Sequence, residues 1–342
     1  MNDRRPTTII EVAAELGVSI ATVSRALRRP ELLSEETRAR VLKAVERLGY
    51  QPNLLARDLR LRESKVALVV VPSLSPFFLE VFRGVEKAAR KTGYSVLMGH
   101  TDRDPEREHA FFDQVAARRA DGIILVTSSH ASALADRKRL PPVVAALEQI
   151  DGCSLPAVRV DHTRAAVAAT QYLLDLGHKR VAHISGPMSS PMAVHRVEGY
   201  QQALGPSLDT ALCVEGDFTA RSGELAMNLL LARHAPPTAV FAANDEMAIG
   251  AVRAAKMAGL RVPEDISIIG FDDQRIAALY DPPLTTVHVP TAEIGYRAML
   301  LLERVLNDSA TDRDIVLPTK ITPRGTTAPY RPRGPAAPDD EG

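Results

Sequence analysis

Tryptophan is absent from the 342-residue chain, aromatic residues make up only 4% of it, and there are just two cysteines, Cys153 and Cys213. Two cysteines build no disulfide framework, and these two lack metal-site spacing. No apolar run approaches the roughly 18 to 20 residues of a membrane span. The opening MNDRRPTTIIEVAAELG reaches Glu11 and Glu15 too soon for the apolar stretch of a secretory signal. Catalytic signatures are missing as well: there is no G-x-S-x-G, no H-E-x-x-H, no phosphate-binding loop and no G-x-G-x-x-G after the first strand-like run. None of the nine histidines pairs with carboxylates at a known metal spacing, and His178, in LGHKR, reads as a helix-end cap. These absences point to a soluble, cytoplasmic protein with no catalysis, no cofactor, no metal and no membrane. Hydrophobic residues at 45% and charged residues at 25% form an ordinary globular balance, enough for two to three domains.

Net charge is zero, 42 basic against 42 acidic residues, but unevenly spread. Residues 1–62 carry 12 Lys/Arg against 8 Asp/Glu, and the remainder carries 30 against 34. A small basic head on a mildly acidic body fits contact with nucleic acid, although charge alone decides nothing. Within 7–49 the apolar residues recur at helical spacing. Ile10, Val12, Ala13 and Leu16 make one stripe, which Gly17 ends. Ser19 caps a second helix with Val23 and Leu27 on its apolar side, and Pro30 ends it. Ser34-Glu35-Glu36-Thr37 opens a third helix through Val41, Leu42, Val45 and Leu48, closed by Gly49. Two short helices joined by a Gly-containing turn form a helix-turn-helix, in which Ala13 and Ala14 permit close approach. The second helix shows Ile20, Ala21, Thr22, Ser24 and Arg25 outward. Short polar groups and one arginine suit a major groove, while a plain helical hairpin with a solvated face has the same spacing.

After Arg62 the pattern changes. Apolar runs at 65–71, 95–99, 122–126, 142–147, 180–185, 238–243 and 266–271 alternate with helix-like segments at 78–92, 105–118, 163–176, 219–233 and 246–258. Continuous apolar strands separated by helices mean parallel sheets covered on both faces. Seven such units exceed one doubly wound sheet, so two α/β subdomains follow, divided near Asp161. LTTVHVP at 284–290 reads as a crossover back, followed by a helix around 291–307. The chain after Thr322 holds five prolines and no leucine, isoleucine or valine, so no coiled coil forms there. Residues 329–342 read as a flexible Pro-rich tail.

VSIATVSRAL followed by LLSEETRARVLKAVERLGYQPNLLARDLR resembles the DNA-binding head and hinge of the LacI/GalR family of bacterial transcriptional regulators. The likeness continues through PSLSPFFLEVFRGVEKAARKTGYSVLMG, RRADGIIL, VRVDHTRAA, LGHKRVAHISGP, HRVEGYQQAL, FAANDEMAIGAVRAAKMAGLRVPEDISIIGFDD and PPLTTVHVP. GDFTARSG and the DPPLTTV context are most similar to the family's cytidine repressor branch. The resemblance implies an α/β fold: a helix-turn-helix head over 1–49, a hinge helix and linker over 50–62, and a two-subdomain, periplasmic-binding-protein-like core over 63–328. One subdomain would span about 63–161 and 291–319, the other about 162–290 and 320–328, with the tail at 329–342.

The same resemblance implies the site residues. Ile20, Ala21 and Arg25 fall at base-reading positions, and Thr8, Thr22, Ser24 and Asn53 at phosphate-positioning ones. Leu59 matches the leucine levered into the minor groove, with the anionic Asp58 beside it a departure from the family pattern and Arg57, Arg60 and Arg62 flanking. In the core, Phe77, Phe78 and Phe218 would give apolar or stacking surfaces. Arg196, Asn244 and Asp272 would hydrogen-bond ligand hydroxyls, and Glu148 is a further effector-binding candidate. The implied function is an effector-responsive repressor, a homodimer on a pseudo-palindromic double-stranded operator, controlled by a sugar or nucleoside. A solute-binding component of a transporter would explain the body, but it requires a signal peptide and no basic head.

Overall fold

The computed structural model describes residues 7–28, 30–50, 64–126, 141–150, 154–309 and 312–332. They fall into two units, divided between Ser64 and Lys65. Asn53, Asp58, Leu59, the flanking arginines and residues 333–342 lie outside the described residues.

The first unit holds helices α1 (Ile9–Leu16), α2 (Ile20–Arg28) and α3 (Glu35–Arg47), with a 3-10 turn at Pro30–Leu32. Side chains capping free backbone N–H groups start each helix. The Thr8 hydroxyl accepts from the Glu11 N–H at 3.4 Å while the Glu11 carboxylate accepts from the Thr8 N–H at 2.7 Å, a reciprocal capping box. Ser19 accepts from the Thr22 N–H at 3.1 Å, and Ser34 from the Thr37 N–H at 3.4 Å. Gly17, at φ 65°, takes the left-handed turn that ends α1. Val12, Ala13, Val23, Ala26, Val41 and Ala44 form the core. The expected stripe of α2, Val23 and Leu27, holds, and those of α1 and α3 each differ at one position. Ile10 is 62% exposed and Ile9 faces inward instead, because Ile9, Val12, Ala13 and Leu16 keep the i, i+3, i+4, i+7 spacing. Leu42 is likewise exposed where Ala44 is buried, and Ala14 is exposed, leaving Ala13 to make the close approach.

The second unit contains two six-stranded sheets. The first uses β1 (Val66–Val71), β2 (Ser95–His100), β3 (Gly122–Val126), β4 (Val143–Leu147), β5 (Ala157–Val160) and β11 (Asp314–Leu317) in the order β11-β5-β4-β3-β1-β2. The second uses β6 (Val181–Ser185), β7 (Cys213–Glu215), β8 (Ala239–Ala242), β9 (Ser267–Asp272), β10 (Thr285–His288) and β12 (Lys320–Thr322) in the order β12-β10-β9-β8-β6-β7. All pairings are parallel except β12 against β10. Each sheet therefore repeats the doubly wound 2-1-3-4-5 order, whose ligand crevice lies at the strand carboxyl ends where the order reverses. The chain passes between the sheets three times: after β5, after β10 and between β11 and β12. One apolar cluster runs through both, joining Val69, Phe77 and Leu147 to Phe241, Phe271 and Val287.

Helices α4 (Pro76–Thr92), α5 (Pro105–Ala116), α6 (His162–Asp175), α7 (Pro191–Leu204), α8 (Ala220–Leu231), α9 (Asp245–Met257), α10 (Arg275–Leu279) and α11 (Thr291–Leu306) connect the strands. Glycines let the main pairs of helices touch backbone to backbone. A Cβ on Gly84 of α4 would lie 1.9 Å from the Ala292 carbonyl of α11, and one on Gly250 of α9 would lie 1.8 Å from the Ala220 carbonyl of α8.

Four expectations change. LTTVHVP contains β10, and the crossover comes after it, at Val289–Pro290. β2 is an edge strand with Leu97 57% exposed, so it is not covered on both faces. His178 caps the end of α6 only through its backbone N–H, at 3.3 Å from the Leu173 carbonyl, while its ring serves elsewhere: Nδ1 lies 3.0 Å from the Thr238 hydroxyl, and Nε2 3.1 Å from both the Ser267 hydroxyl and the Ala328 carbonyl. The expected flexible tail is held as far as Tyr330, which donates its N–H to the Leu176 carbonyl at 2.7 Å and packs its ring 5.6 Å from that of His178. An aromatic ring and one backbone bond hold a segment that composition alone marks as free.

The α4–α11 contact yields a direct check. Gly84→Ala forces a methyl into the Ala292 carbonyl and should lower unfolding free energy by about 1 to 3 kcal/mol in urea titrations. Unchanged stability would mean that the helices separate without cost.

Candidate functional site

In the first unit the residues expected to read DNA sit on one face of α2. Positions 20, 21, 24 and 25 share a helical face opposite the buried Val23 and Ala26. Ile20 is 47% exposed, Ala21 and Arg25 are exposed, and Thr22 and Ser24 are half-buried. Thr22 shares a 2.9 Å hydroxyl contact with Ser19, and Thr8 is engaged in the α1 cap. Among the described side chains the face thus offers an apolar edge, the Arg25 cation and short polar groups, and α2 carries no acidic residue to repel phosphate.

In the second unit a cavity of about 260 Å³ lies at the strand carboxyl ends of both sheets. It is lined by Phe77 and Phe78 from the first turn of α4, rather than from the loop after β1, with Arg196 of α7, Phe218 after β7, Asn244 after β8 and Asp272 at the end of β9. Six of the seven effector candidates therefore converge. Glu148, the seventh, is buried and lines a separate cavity of about 230 Å³ with Asp161, His162 and His195. Ser73, Arg103, Ser190, Asp217, Thr219, Glu246 and Gln274 also line the larger cleft. Of these, Asp217 and Thr219 flank Phe218 in the GDFT run, and Glu246 lies two residues beyond Asn244, so motif neighbours were the available signal.

Backbone strain concentrates here. Phe218 has φ 70° and Asp272 φ 108°, conformations that cost L-residues free energy and persist where surrounding structure imposes them. At Phe218 the restraint is visible: Asn244 donates from Nδ2 to the Phe218 carbonyl at 2.9 Å, and the ring lies flush on Gly186, where a Cβ would come within 2.2 Å. Asn244 also caps α9, accepting from the Met247 N–H at 2.9 Å. It retains one amide hydrogen for a ligand. Phe77 and Phe78 meet edge to face at 5.2 Å.

Arg196 is the centre of the cleft's electrostatics. It is 1% exposed, its guanidinium carbon lies 3.9 Å from the centre of the Phe271 ring, and one Nη donates to the Ala243 carbonyl. The other Nη faces Asp272 Oδ1 at 3.4 Å and His162 Nδ1 at 3.5 Å. Its Nε has no hydrogen-bond partner among the described residues. Burial lowers the guanidinium pKa, opposed by the charges of Asp272, Glu148 and Asp245. Beneath it Asp245 is wholly buried and accepts from the Thr286 hydroxyl at 2.5 Å and the Gln274 N–H at 2.7 Å. Burial raises its pKa well above the ordinary carboxylate range. Burial also pushes Asp272 up to about 7, with Arg196 pulling the other way. Among the described residues no cluster of His, Cys, Asp and Glu is arranged to hold a metal, and no helix is long and apolar enough to cross a membrane.

Residues 63–324 match the family described as periplasmic binding proteins and sugar binding domain of the LacI family, and residues 8–53 match bacterial regulatory proteins, lacI family. The chain is 43% identical over 301 residues to the HTH-type transcriptional repressor CytR of Escherichia coli K12, covering 86% of this chain and 88% of that one. It is 38% identical over 330 residues to catabolite control protein A of Priestia megaterium, covering 94% and 99%. A crystal structure of the lac repressor dimer bound to operator and the anti-inducer ONPF superposes with a TM-score of 0.87 at 29% identity, covering 95% of this chain and 100% of that one.

The raised pKa of Asp272 sets a pH dependence. A carboxyl near 4 in the unfolded chain and near 7 in the fold is protonated in the folded state over the window between, so the fold holds a proton that unfolding releases. Its contribution to stability is full below about pH 4 and is lost as pH rises through about 7. Asp245 titrates in both proteins, so the difference between wild type and Asp272→Asn isolates this group. Thermal or urea melts should show wild type losing stability relative to the variant across that window. A flat difference would place Asp272 in the ordinary ionised state.

Proposed function

Because this chain belongs to the LacI family of bacterial regulatory proteins, we propose that it is an effector-responsive, sequence-specific DNA-binding regulator that represses a sugar or nucleoside utilisation operon. In this reading it acts in the cytoplasm as a homodimer, two heads on a pseudo-palindromic operator, and carries out no catalysis. The match of residues 8–53 to regulatory proteins removes the transporter alternative, which has no use for a DNA-binding head.

One observation carries the ligand half of the reading: a fully buried arginine with an unmatched Nε, walled by aromatic rings, in a strand-end cavity. Burying a cation with a vacant donor is costly unless a ligand supplies the acceptor. The charge balance narrows the ligand's class. Arg103 and Arg196 are set against Asp217, Glu246 and Asp272, the last pushed by burial up to about 7, so the lining holds no cationic excess to favour a phosphate or carboxylate. An uncharged polyol matches the mix of donors and acceptors, since each hydroxyl does both. The rings of Phe77, Phe78 and Phe218 take its apolar faces. Closure of the cleft on such a ligand would rotate one subdomain against the other and so alter DNA affinity across the dimer. Exposed apolar side chains for the subunit contact lie in three segments: Leu79 on α4, Met257 on α9, and Ile276 and Leu279 on α10, Leu279 being 78% exposed.

Two measurements test this. Thermal-shift screening of sugars and nucleosides should find a neutral binder that adds about 2.7 kcal/mol at 100 times its Kd, with its phosphate ester binding more weakly. A phosphate ester binding more tightly would overturn the charge argument. On an operator selected from random duplexes, Arg25→Ala should cost about 1 to 3 kcal/mol and relax the preference at one base pair per half-site. Equal losses on selected and random DNA would reassign Arg25 to a phosphate contact.

A further inference from the structure

We infer that His162 is a positioning residue: it ties the cleft arginine, Arg196, to the end of β4 in the other sheet, so that a ligand seated on Arg196 is felt across the subdomain boundary. The inference rests on the ligand reading of the cleft given above.

His162 is the first residue of α6, just beyond β5, where the chain makes its first passage between the sheets. It is 3% exposed, and both ring nitrogens are engaged on opposite sides. Nε2 lies 3.2 Å from the Leu147 carbonyl, and Nδ1 lies 3.5 Å from Arg196 Nη2. A guanidinium only donates and a carbonyl only accepts. One arrangement satisfies both neighbours: neutral imidazole with the proton on Nε2, donating to Leu147 and accepting from Arg196 at Nδ1. Burial, and then the charge of Arg196, keep the ring in that neutral form.

The two partners belong to different sheets. Leu147 ends β4 of the first sheet in a left-handed conformation at φ 78°, a strained geometry, and its carbonyl is the one that meets the ring. Arg196 is on α7 of the second subdomain, and its other contacts, Ala243, Phe271 and Asp272, all lie there too. His162 thus bridges from the ligand-facing cation to a strained strand end. At 3.5 and 3.4 Å, the contacts of Nη2 with His162 and Asp272 sit at the long limit of hydrogen bonding. The guanidinium therefore has room to shift toward a ligand acceptor, and the shift changes what His162 can hold at Leu147.

A purely space-filling role is the competing account, since the ring also packs 6.1 Å from Phe271. The two accounts separate by substitution. His162→Leu keeps bulk and removes both hydrogen bonds, whereas His162→Gln keeps one donor and one acceptor at similar reach. The full chain is titrated calorimetrically with cytidine, uridine, adenosine, D-ribose and D-glucose. Its affinity for a duplex operator selected by the wild-type protein is then measured with and without each binder. His162→Leu should weaken the wild-type binder about tenfold or more and bring the ratio of operator affinities with and without it close to one. Its operator affinity without the binder should stay within about twofold of wild type, a change of some 0.4 kcal/mol. His162→Gln should restore the ratio. If His162→Leu does not fold, His162→Met serves as the apolar filler. An apolar variant with the wild-type ratio, or a glutamine variant no better than it, overturns the inference. If none of the five compounds binds the wild-type protein, the ligand reading of the cleft fails first and the role of His162 falls with it.

Discussion

A guanidinium withdrawn from water is among the most expensive groups a protein interior can hold, and Arg196, 1% exposed, is such a group. Much of the second unit's architecture serves to hold it. The β9 end supplies the Asp272 carboxylate, the loop after β8 supplies the Ala243 carbonyl, and the Phe271 ring lies under its face. Each comes from a strand carboxyl end, which is where the doubly wound order opens a crevice. The strained backbone of Asp272 lies at this same strand end, where the carboxylate meets the guanidinium.

Three chain passages between the sheets set how the cleft can move. They follow β5, β10 and β11, which together with β12 are the last two strands at one side of each sheet. Short parallel passages act as hinges that absorb a rotation while the packed cores stay rigid. Cross-links near them then decide how freely the rotation occurs. Arg159 of β5 pairs in fork geometry with Asp314 of β11 at 2.8 and 2.9 Å, and Arg324 pairs with Asp273 at 2.6 Å just beyond β9. The bidentate pair stiffens two of the passages against each other.

The legible parts of the sequence were those with long, uninterrupted patterns. Five- and six-residue apolar runs such as VALVVV and GIILV are buried strands because nothing else satisfies their side chains in a two-sided sheet. β5, β7, β11 and β12 were missed for the opposite reason: AVRV, CVE, DIVL and KIT are three or four residues long and carry charged or polar side chains. Their strand character comes from tertiary pairing, which overrides weak local preference. The head erred by a residue or two at Ile10 and Leu42, since periodicity finds an apolar stripe more readily than its exact rotation. In the cleft, Arg196 and Asp272 were readable only through resemblance. His162 gave no signal at all, because VDHTRAA shows neither the strand end it follows nor the arginine 34 residues later in the chain that it meets.

Two buried aspartates, close in the fold and opposite in satisfaction, show how the site divides structure from response. Asp245 receives short bonds from Thr286 and Gln274, at 2.5 and 2.7 Å, and its surroundings are complete without a ligand. A Cβ on neighbouring Gly270 would lie 2.4 Å from its Oδ1, so even the adjoining strand is shaped around it. Among the described residues the Asp272 carboxylate has instead a single long contact, to Arg196, which itself carries an unmatched Nε. The first carboxyl is architecture: removing it leaves donors stranded in the core. The second belongs to a set with long contacts, which in the proposed reading exchanges its own partners for a ligand's hydroxyls. Population shift requires that a ligand bind one arrangement better than the other, and an under-satisfied ion pair beside a fully hydrogen-bonded carboxyl provides that difference.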